Sequence, residues 1–240
     1  MEGNPIGRVA IACKSNMRFD FTIVGADRIY HETQRPLTLN PLYWQAEVIK
    51  ELGRLNEKLN KIIHPLVGPP TVNLGRVLGA DFANPQINTV PMKCKISGIR
   101  RLIPGETSET VREEFENVVN IVRGIAQPEI QFMSKVTGEP APWELSKKEP
   151  IVQSLLKGIE SVTGVDTEPT GFSVQTDARW LNKGLTDWHR KYNGEGISTP
   201  QFGPSQPGIH SNIEYVNIDE LVGASKIYAL TAIDFCGVEV

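Results

Sequence analysis

Met17-Arg18-Phe19-Asp20-Phe21-Thr22-Ile23-Val24 alternates apolar and polar side chains at period two, the pattern of a strand with one face on a core and the other toward water. Upstream, Val9-Ala10-Ile11-Ala12-Cys13 is a second strand-like run, joined to the first at Lys14-Ser15-Asn16. Downstream, Val24-Gly25 opens a loop that carries His31-Glu32-Thr33-Gln34-Arg35-Pro36. Leu42, Ala46, Ile49, Leu52, Leu55 and Leu59 then recur at helical spacing, with Asn40 as cap and Pro41 where a first turn tolerates it. Thr71 to Leu78 and Ile87 to Ile99 read as strands. Glu106 to Val122 reads as a helix capped by Thr107 or Ser108, with Val111, Phe115, Val118, Val119 and Val122 on one face, and Ile130 to Val136 as a returning strand. Strand, helix, strand, strand, helix, strand is the split βαβ, ferredoxin-like order.

Thr137 to Pro150 reads as a linker, punctuated by Gly138, Pro140, Pro142 and Pro150. Beyond it Ile151, Leu155, Leu156, Ile159 and Val162 mark a helix, Gly171 to Val174 a short strand, and Thr176 to Leu181 the start of another helix. Thr199 to Phe202 reads as a buried strand, and Ile218 to Phe235 as a final amphipathic helix with Leu221, Ala224, Ile227, Tyr228 and Thr231 in step. Alternating strands and helices indicate an α/β layer too small to be a whole domain. The expected division is residues 1–137 and 138–240.

The 240 residues, 40% hydrophobic and 22% charged, suffice for a core without staples. A formal net charge of -3 gives no footprint for nucleic acid. No apolar run reaches the roughly 18 residues of a membrane span, and the N-terminus lacks a charged-then-apolar leader. Cys13, Cys94 and Cys236 are too sparse for a disulfide framework, so a cytoplasmic location is expected. Phe202-Gly203-Pro204-Ser205-Gln206-Pro207-Gly208-Ile209-His210 is a Gly/Pro-rich loop that delivers one histidine, a common way to present a ligand or a catalytic group. His64, before Pro65, reads as an ordinary loop histidine, and Glu113-Glu114 as a solvated helix face.

Five motifs occur in an order seen in one family: Val24-Gly25 with His31 and Pro36, Asn88-Thr89-Val90-Pro91, Arg101 with Pro104-Gly105-Glu106, Thr176-Asp177-Ala178-Arg179, and Gly203-Pro204 with His210-Ser211-Asn212 and Glu214-Tyr215. The chain resembles the zinc amidohydrolases and exopeptidases that include acetylornithine deacetylase, succinyl-diaminopimelate desuccinylase, aminoacylase and carboxypeptidase G. The resemblance implies an α+β ferredoxin-like lid, or dimerisation, domain joined to the C-terminal portion of an α/β zinc-exopeptidase catalytic domain. It implies that His210 is a ligand in a two-zinc site whose bridging water becomes the nucleophile. His31 would be the lid histidine that reaches a neighbouring subunit's site and stabilises the oxyanion. Asn88 and Arg101 would face the substrate, the guanidinium suiting a carboxylate. Asp177 and Arg179 would line the cleft, although an Asp at a helix start also favours the macrodipole. Gln175 stands where many relatives have glycine.

The family's His-x-Asp pair, bridging aspartate and glutamate pair have no counterpart in this sequence. Glu2-Gly3-Asn4-Pro5 is a loose version, with two inserted residues, of the glutamate-proline ligand that precedes the lid. Catalytic zinc needs about three protein ligands on each ion, and Glu2 and His210 fall short of that. The resemblance therefore implies a hydrolase of N-acyl amino acids or short peptides present as a portion inactive alone, a homodimer through the lid, and a complementary N-terminal half. Two other readings stay open: a dimerisation module that retains no chemistry, and a small-molecule binder using Arg101 and Asn88 without turnover.

Overall fold

The computed structural model describes residues 6–79, 87–138, 141–182, 196–205, 207–208 and 211–238. Strand β2 (Ser15–Val24) is the centre of the first unit. It pairs antiparallel along its whole length with β6 (Lys93–Leu102) on one side and, from Arg18 to Val24, with β7 (Gln131–Thr137) on the other. β4 (Thr71–Leu78) pairs antiparallel outside β6, giving the order β4-β6-β2-β7. The predicted alternation holds, since Met17, Phe19, Phe21 and Ile23 are buried while Arg18 is exposed. Two helices, α1 (Pro41–Leu59) and α2 (Ser108–Arg123), cover the buried face, completing the ferredoxin-like arrangement. Phe115 of α2 stacks on Phe19 and Phe21 with ring centroids 4.8 and 5.4 Å apart, the tilted and edge-on contacts that aromatic quadrupoles favour. Phe19 needs Gly98 opposite it on β6, because a Cβ there would meet the ring at 2.4 Å and the Asn73 carbonyl at 2.2 Å.

Both helix starts follow the expected caps. Asn40 Oδ1 accepts from the Leu42 amide at 3.0 Å ahead of Pro41, and Thr107 Oγ1 accepts from Thr110. The inner face of α1 is rotated from the predicted one: Gln45, Val48 and Leu52 are buried and Ala46 is exposed. The reason is polar, because Gln45 Nε2 donates to the carbonyls of Leu78 and Lys95 at 3.0 and 3.1 Å and so ties the helix to the sheet. The expected strand from Ile87 to Ile99 is divided at Pro91 into β5 (Thr89–Val90) and β6.

β1 (Ala10–Cys13) does not pair within the lid sheet. It pairs antiparallel with β8 (Trp143–Glu144) and parallel with β9 (Thr170–Phe172) in the order β8-β1-β9. The expected division is thus corrected at its start, because β1 serves the second unit and only Lys14 separates it from β2. The expected linker holds β8, and the expected strand at Thr199–Phe202 is reduced to one antiparallel bridge between Ala10 and Gln201. Helices α3 (Pro150–Thr163) and α4 (Ile218–Cys236) pack together on this sheet, Ile159 and Ile227 both fully buried. Of the face predicted for α4, Ala224, Ile227 and Thr231 are buried, whereas Leu221 and Tyr228 are 39% and 43% exposed.

Lid elements cover the other face of β1. Ala12 packs with Val67 and Ile103, and Gly171 of β9 lets the Leu66 carbonyl approach, a Cβ there standing 2.3 Å from it. His64 fixes this segment: its Nδ1 accepts from the Leu66 amide at 3.2 Å, so Nε2 carries the proton toward Glu144 Oε2, 3.2 Å away. The loop histidine of the sequence is therefore a link between the two units.

A buried cation lies under the lid. Arg100 has the same parity on β6 as Cys94, Ile96 and Leu102 and is fully buried among them. Its Nε donates to Glu114 Oε2 at 2.9 Å and its Nη2 to Glu106 Oε1 at 2.6 Å. Glu106 also accepts from the Ile103 amide at 2.8 Å. Glu114 is thus no part of a solvated face, although Glu113 beside it is exposed.

None of the three cysteines forms a disulfide, Cys94 being buried and Cys236 exposed. Burial pushes the Cys94 thiol up to about 12. Alkylation of the native chain at mildly alkaline pH is therefore expected to modify Cys236 first and to spare Cys94 until denaturant is added, as read by peptide mass mapping. Glu114→Ala takes away the bonds from Arg100 Nε and Nη2 and leaves the buried guanidinium with Glu106 alone, so it is expected to lower the unfolding free energy by about 2 kcal/mol, and Glu113→Ala by under about 0.5 kcal/mol, in urea titrations.

Candidate active site

His31 stands at the end of β3 (Tyr30–His31), which pairs antiparallel with β5, Tyr30 opposite Val90 and His31 opposite Thr89. The Glu32 amide donates to the Asn88 carbonyl at 3.0 Å, closing the two-stranded ribbon. The Asn88 side-chain amide lies 3.2 Å from His31 Nε2. On the other side of the ring, Nδ1 is 2.9 Å from Thr33 Oγ1 and 3.3 Å from Glu32 Oε2. The ring, with 45% of its side-chain surface exposed, is held from both edges and still open to solvent. Tyr30 braces the ribbon, donating to Asp27 Oδ1 at 2.7 Å while the Arg35 guanidinium stacks 4.2 Å above its ring. The sequence marks His31 and Asn88; it gives no sign of Thr33, Tyr30 or Asp27, whose roles arise from the folded loop.

Arg101 is half-buried on β6, opposite Asn16 and Thr71. It faces away from the helices because its parity is opposite to that of Arg100. Lys14, 7% exposed, donates from Nζ to the Pro69 carbonyl at 2.5 Å. Burial, with Arg101 second, holds its ammonium below the usual lysine range.

Asp177 and Arg179 belong to a short 3-10 turn (Asp177–Trp180) rather than to a longer helix. Asp177 lines a cavity of about 270 Å³ with Thr176, Thr199, Pro200, Gln201 and Phe202. Arg179, its guanidinium 4.1 Å over the Trp180 ring, lines a different cavity of about 300 Å³ with Asn16, Arg18, Thr137, Gln175 and Trp180. One turn thus separates two residues that the sequence placed together. Gln175 fills the space a glycine would leave: its Oε1 accepts from Ser15 Oγ at 2.9 Å, from Asn16 Nδ2 at 3.1 Å and from the Asn16 amide at 3.2 Å.

The Phe202–Ser205 segment is tied to α4. The Tyr228 hydroxyl donates to the Phe202 carbonyl at 2.6 Å, and the Ser205 amide to Glu220 Oε2 at 2.8 Å. The metal ligands expected from sequence, Glu2 and His210, lie outside the described residues. Among the described residues no three His, Cys, Asp or Glu side chains converge on a metal position, so these residues do not by themselves fit a zinc ion. Among them also, no helix is long and apolar enough to cross a membrane.

Comparison with known proteins agrees with this geometry. Residues 19–123 match the family model of the peptidase dimerisation domain, M20_dimer. The first unit of the chain thus resembles a peptidase dimerisation domain, and its fold as a whole is similar to that of part of the solved M20 family structures. A candidate dipeptidase of Staphylococcus saprophyticus is 28% identical over 123 residues, 51% of this chain and 24% of that protein. The solved structure of the di-peptidase Dug1p from Saccharomyces cerevisiae superposes with a TM-score of 0.69 at 14% identity, covering 100% of this chain and 58% of that one. An M20 family metallo-carboxypeptidase, Sso-CP2 from Sulfolobus solfataricus, gives 0.66 at 15% identity, covering 100% and 62%. The chain thus spans less than two thirds of the length of these proteins.

If Asn88 holds the ring, Asn88→Ala should change the distribution of the proton between the two ring nitrogens of His31. Long-range proton–nitrogen spectra are expected to show the His31 Nε2 resonance moving while that of His64 stays in place.

Proposed function

We propose that this chain is the lid and C-terminal part of a metal-dependent hydrolase that cuts an amide or peptide bond next to a carboxylate, of the N-acyl amino acid deacylase or exopeptidase type, and that it is inactive alone. The observation that carries this reading is the placement of His31 and Asn88 at one end of the lid sheet and Arg101 at the other. Arg101 lies eight residues along β6 from Lys93, about 26 Å at the rise of a strand. A single chain does not bring both groups to one small substrate. Two chains paired through the dimerisation domain do: His31 and Asn88 of one protomer meet Arg101 and Asp177 of its partner.

In that arrangement the Arg101 guanidinium binds the substrate carboxylate, and a ring N–H of His31, oriented by Asn88, donates to the oxygen that gains charge. Arg179 lines the separate cavity that Asn16, opposite Arg101, also borders, and would reach the substrate from that side. The two zinc ions of the complete site would polarise the carbonyl and activate water, His210 and Glu2 being the proposed ligands from this chain. The remaining ligands and the general base would come from an N-terminal half. The names of the Staphylococcus and Saccharomyces relatives support short peptides as substrates. A cytoplasmic location goes with cysteines that form no disulfide. A second reading, a dimerisation module without chemistry, is favoured by the lack of a converging ligand set among the described residues.

The purified chain with added zinc is expected to sediment as a dimer and to release no amino acid from dipeptides or N-acetyl amino acids. Turnover that needs both zinc and His210 would sink the claim of inactivity. When the chain is supplemented with a half bearing a His-x-Asp and a Glu-Glu segment, zinc-dependent release is expected. His31→Ala should then cost about 100-fold in kcat with KM little changed. A supplemented assembly that binds but never cleaves would leave the dimerisation module.

A further inference from the structure

The face of the lid sheet turned away from α1 and α2 has a composition unlike the rest of this acidic chain. Residues opposed in register share a face, so the face can be read row by row. Thr71, Arg101 and Asn16 form one row; Asn73, Ile99, Arg18 and Thr137 form the next. Arg76, Ser97, Asp20 and Lys135 cross all four strands, and Leu78, Lys95, Thr22 and Met133 follow. Arg18, Arg76, Lys95, Arg101 and Lys135 therefore stand against one carboxylate, Asp20. That carboxylate is already engaged, accepting from Ser97 Oγ at 2.6 Å and pairing with Lys95 at 3.1 Å. Among the described residues Arg18, Arg76, Arg101 and Lys135 make no ion pair. Arg18, Arg76 and Lys135 are exposed.

We propose that this uncovered sheet face is a docking surface for an extended acidic peptide. Charge complementarity supplies the first reason. Spacing supplies the second: successive rows are two residues apart, about 7 Å, which is also the repeat of alternate side chains along an extended peptide. From Arg101 to Lys95 the cations cover six residues of strand, about 20 Å, room for a peptide of roughly six residues. The four rows themselves contain no aromatic side chain, and Trp180, which borders the cavity beside Asn16, Arg18 and Thr137, already carries the Arg179 guanidinium on its ring, so the rows offer no run of stacking platforms for successive unpaired bases. A peptide therefore fits it better than a single-stranded nucleic acid. The surface stands whether or not bonds are cut; Arg101, at one end of it, would lead such a peptide toward the proposed substrate carboxylate site.

The probe is a fluorescein-labelled hexaglutamate blocked at both ends, followed by fluorescence anisotropy with the 240-residue chain. Saturable binding is expected at low ionic strength, weakening about tenfold or more by roughly 0.2 M salt as the Debye length shrinks. The triple variant Arg18→Gln, Arg76→Gln, Lys135→Gln should lose about tenfold in affinity, with an unchanged circular dichroism melt. A control with the same charge change on the helix side, Lys50→Gln, Lys58→Gln, Lys61→Gln, should stay within about twofold. Equal losses in the two variants, absence of binding at low salt, or tighter binding of an oligothymidylate of equal charge would each overturn the proposal.

Discussion

One residue, Lys14, separates a strand of the body sheet from the central strand of the lid, and this short join limits how the two units can sit. A chain that leaves one sheet at Cys13 and enters another at Ser15 has no loop with which to swing. The polar groups at the crossing are accordingly shared between the units. The Lys14 amide donates to the Phe172 carbonyl at 3.1 Å, its ammonium reaches Pro69, and Ser15 Oγ accepts from the Ala141 amide at 3.0 Å while donating to Gln175. Backbone groups that would otherwise be orphaned where two sheets meet are satisfied across the junction. The contacts of Leu66, Val67 and His64 with the body enlarge the same junction.

Within the lid a second constraint acts through Arg100. A guanidinium with no exposed surface is tolerable only when its donors are met by carboxylates. Those carboxylates come from the turn before α2 and from its second turn. The cation therefore fixes where α2 begins and how it lies on the sheet, alongside the ring cluster of Phe19, Phe21 and Phe115. That the next residue, Arg101, points to the opposite face is a consequence of strand geometry alone. One arginine became structural and its neighbour was left available for a ligand.

The lid was legible because its signals are local: alternation in β2, caps at Asn40 and Thr107, and the buried valines of α2 all lie within a few residues of the elements they define. Strand allegiance was not. Ala10–Cys13 is buried on both faces and so has no alternation, and its partners lie about 130 and 160 residues away in sequence. Gln45 is polar and so stands outside the apolar pattern of α1, although its amide completes that face. Arg100 could have been found, since its parity with Cys94, Ile96 and Leu102 places it inward. The pairing of His31 with Asn88 was less accessible. Family resemblance marked both residues, but only the ribbon of β3 and β5 sets the two side chains in contact. Asp177 and Arg179, two residues apart in sequence, line different cavities because a 3-10 turn, unlike an extended run, sends such neighbours apart.

The final helix has a consequence of a more practical kind. Ile218, Val222 and Ile233 share one side of α4 and are between 48% and 74% exposed, while Ala224 and Ile227 on its inner side are packed against the body. This outer stripe gives the molecule an adhesive flank on the body, separate from the lid. An apparent mass measured at high protein concentration would then include encounters through the oily side of a helix. Dilution or a mild detergent would remove them, since contacts made by such a stripe would rest on solvent exclusion alone.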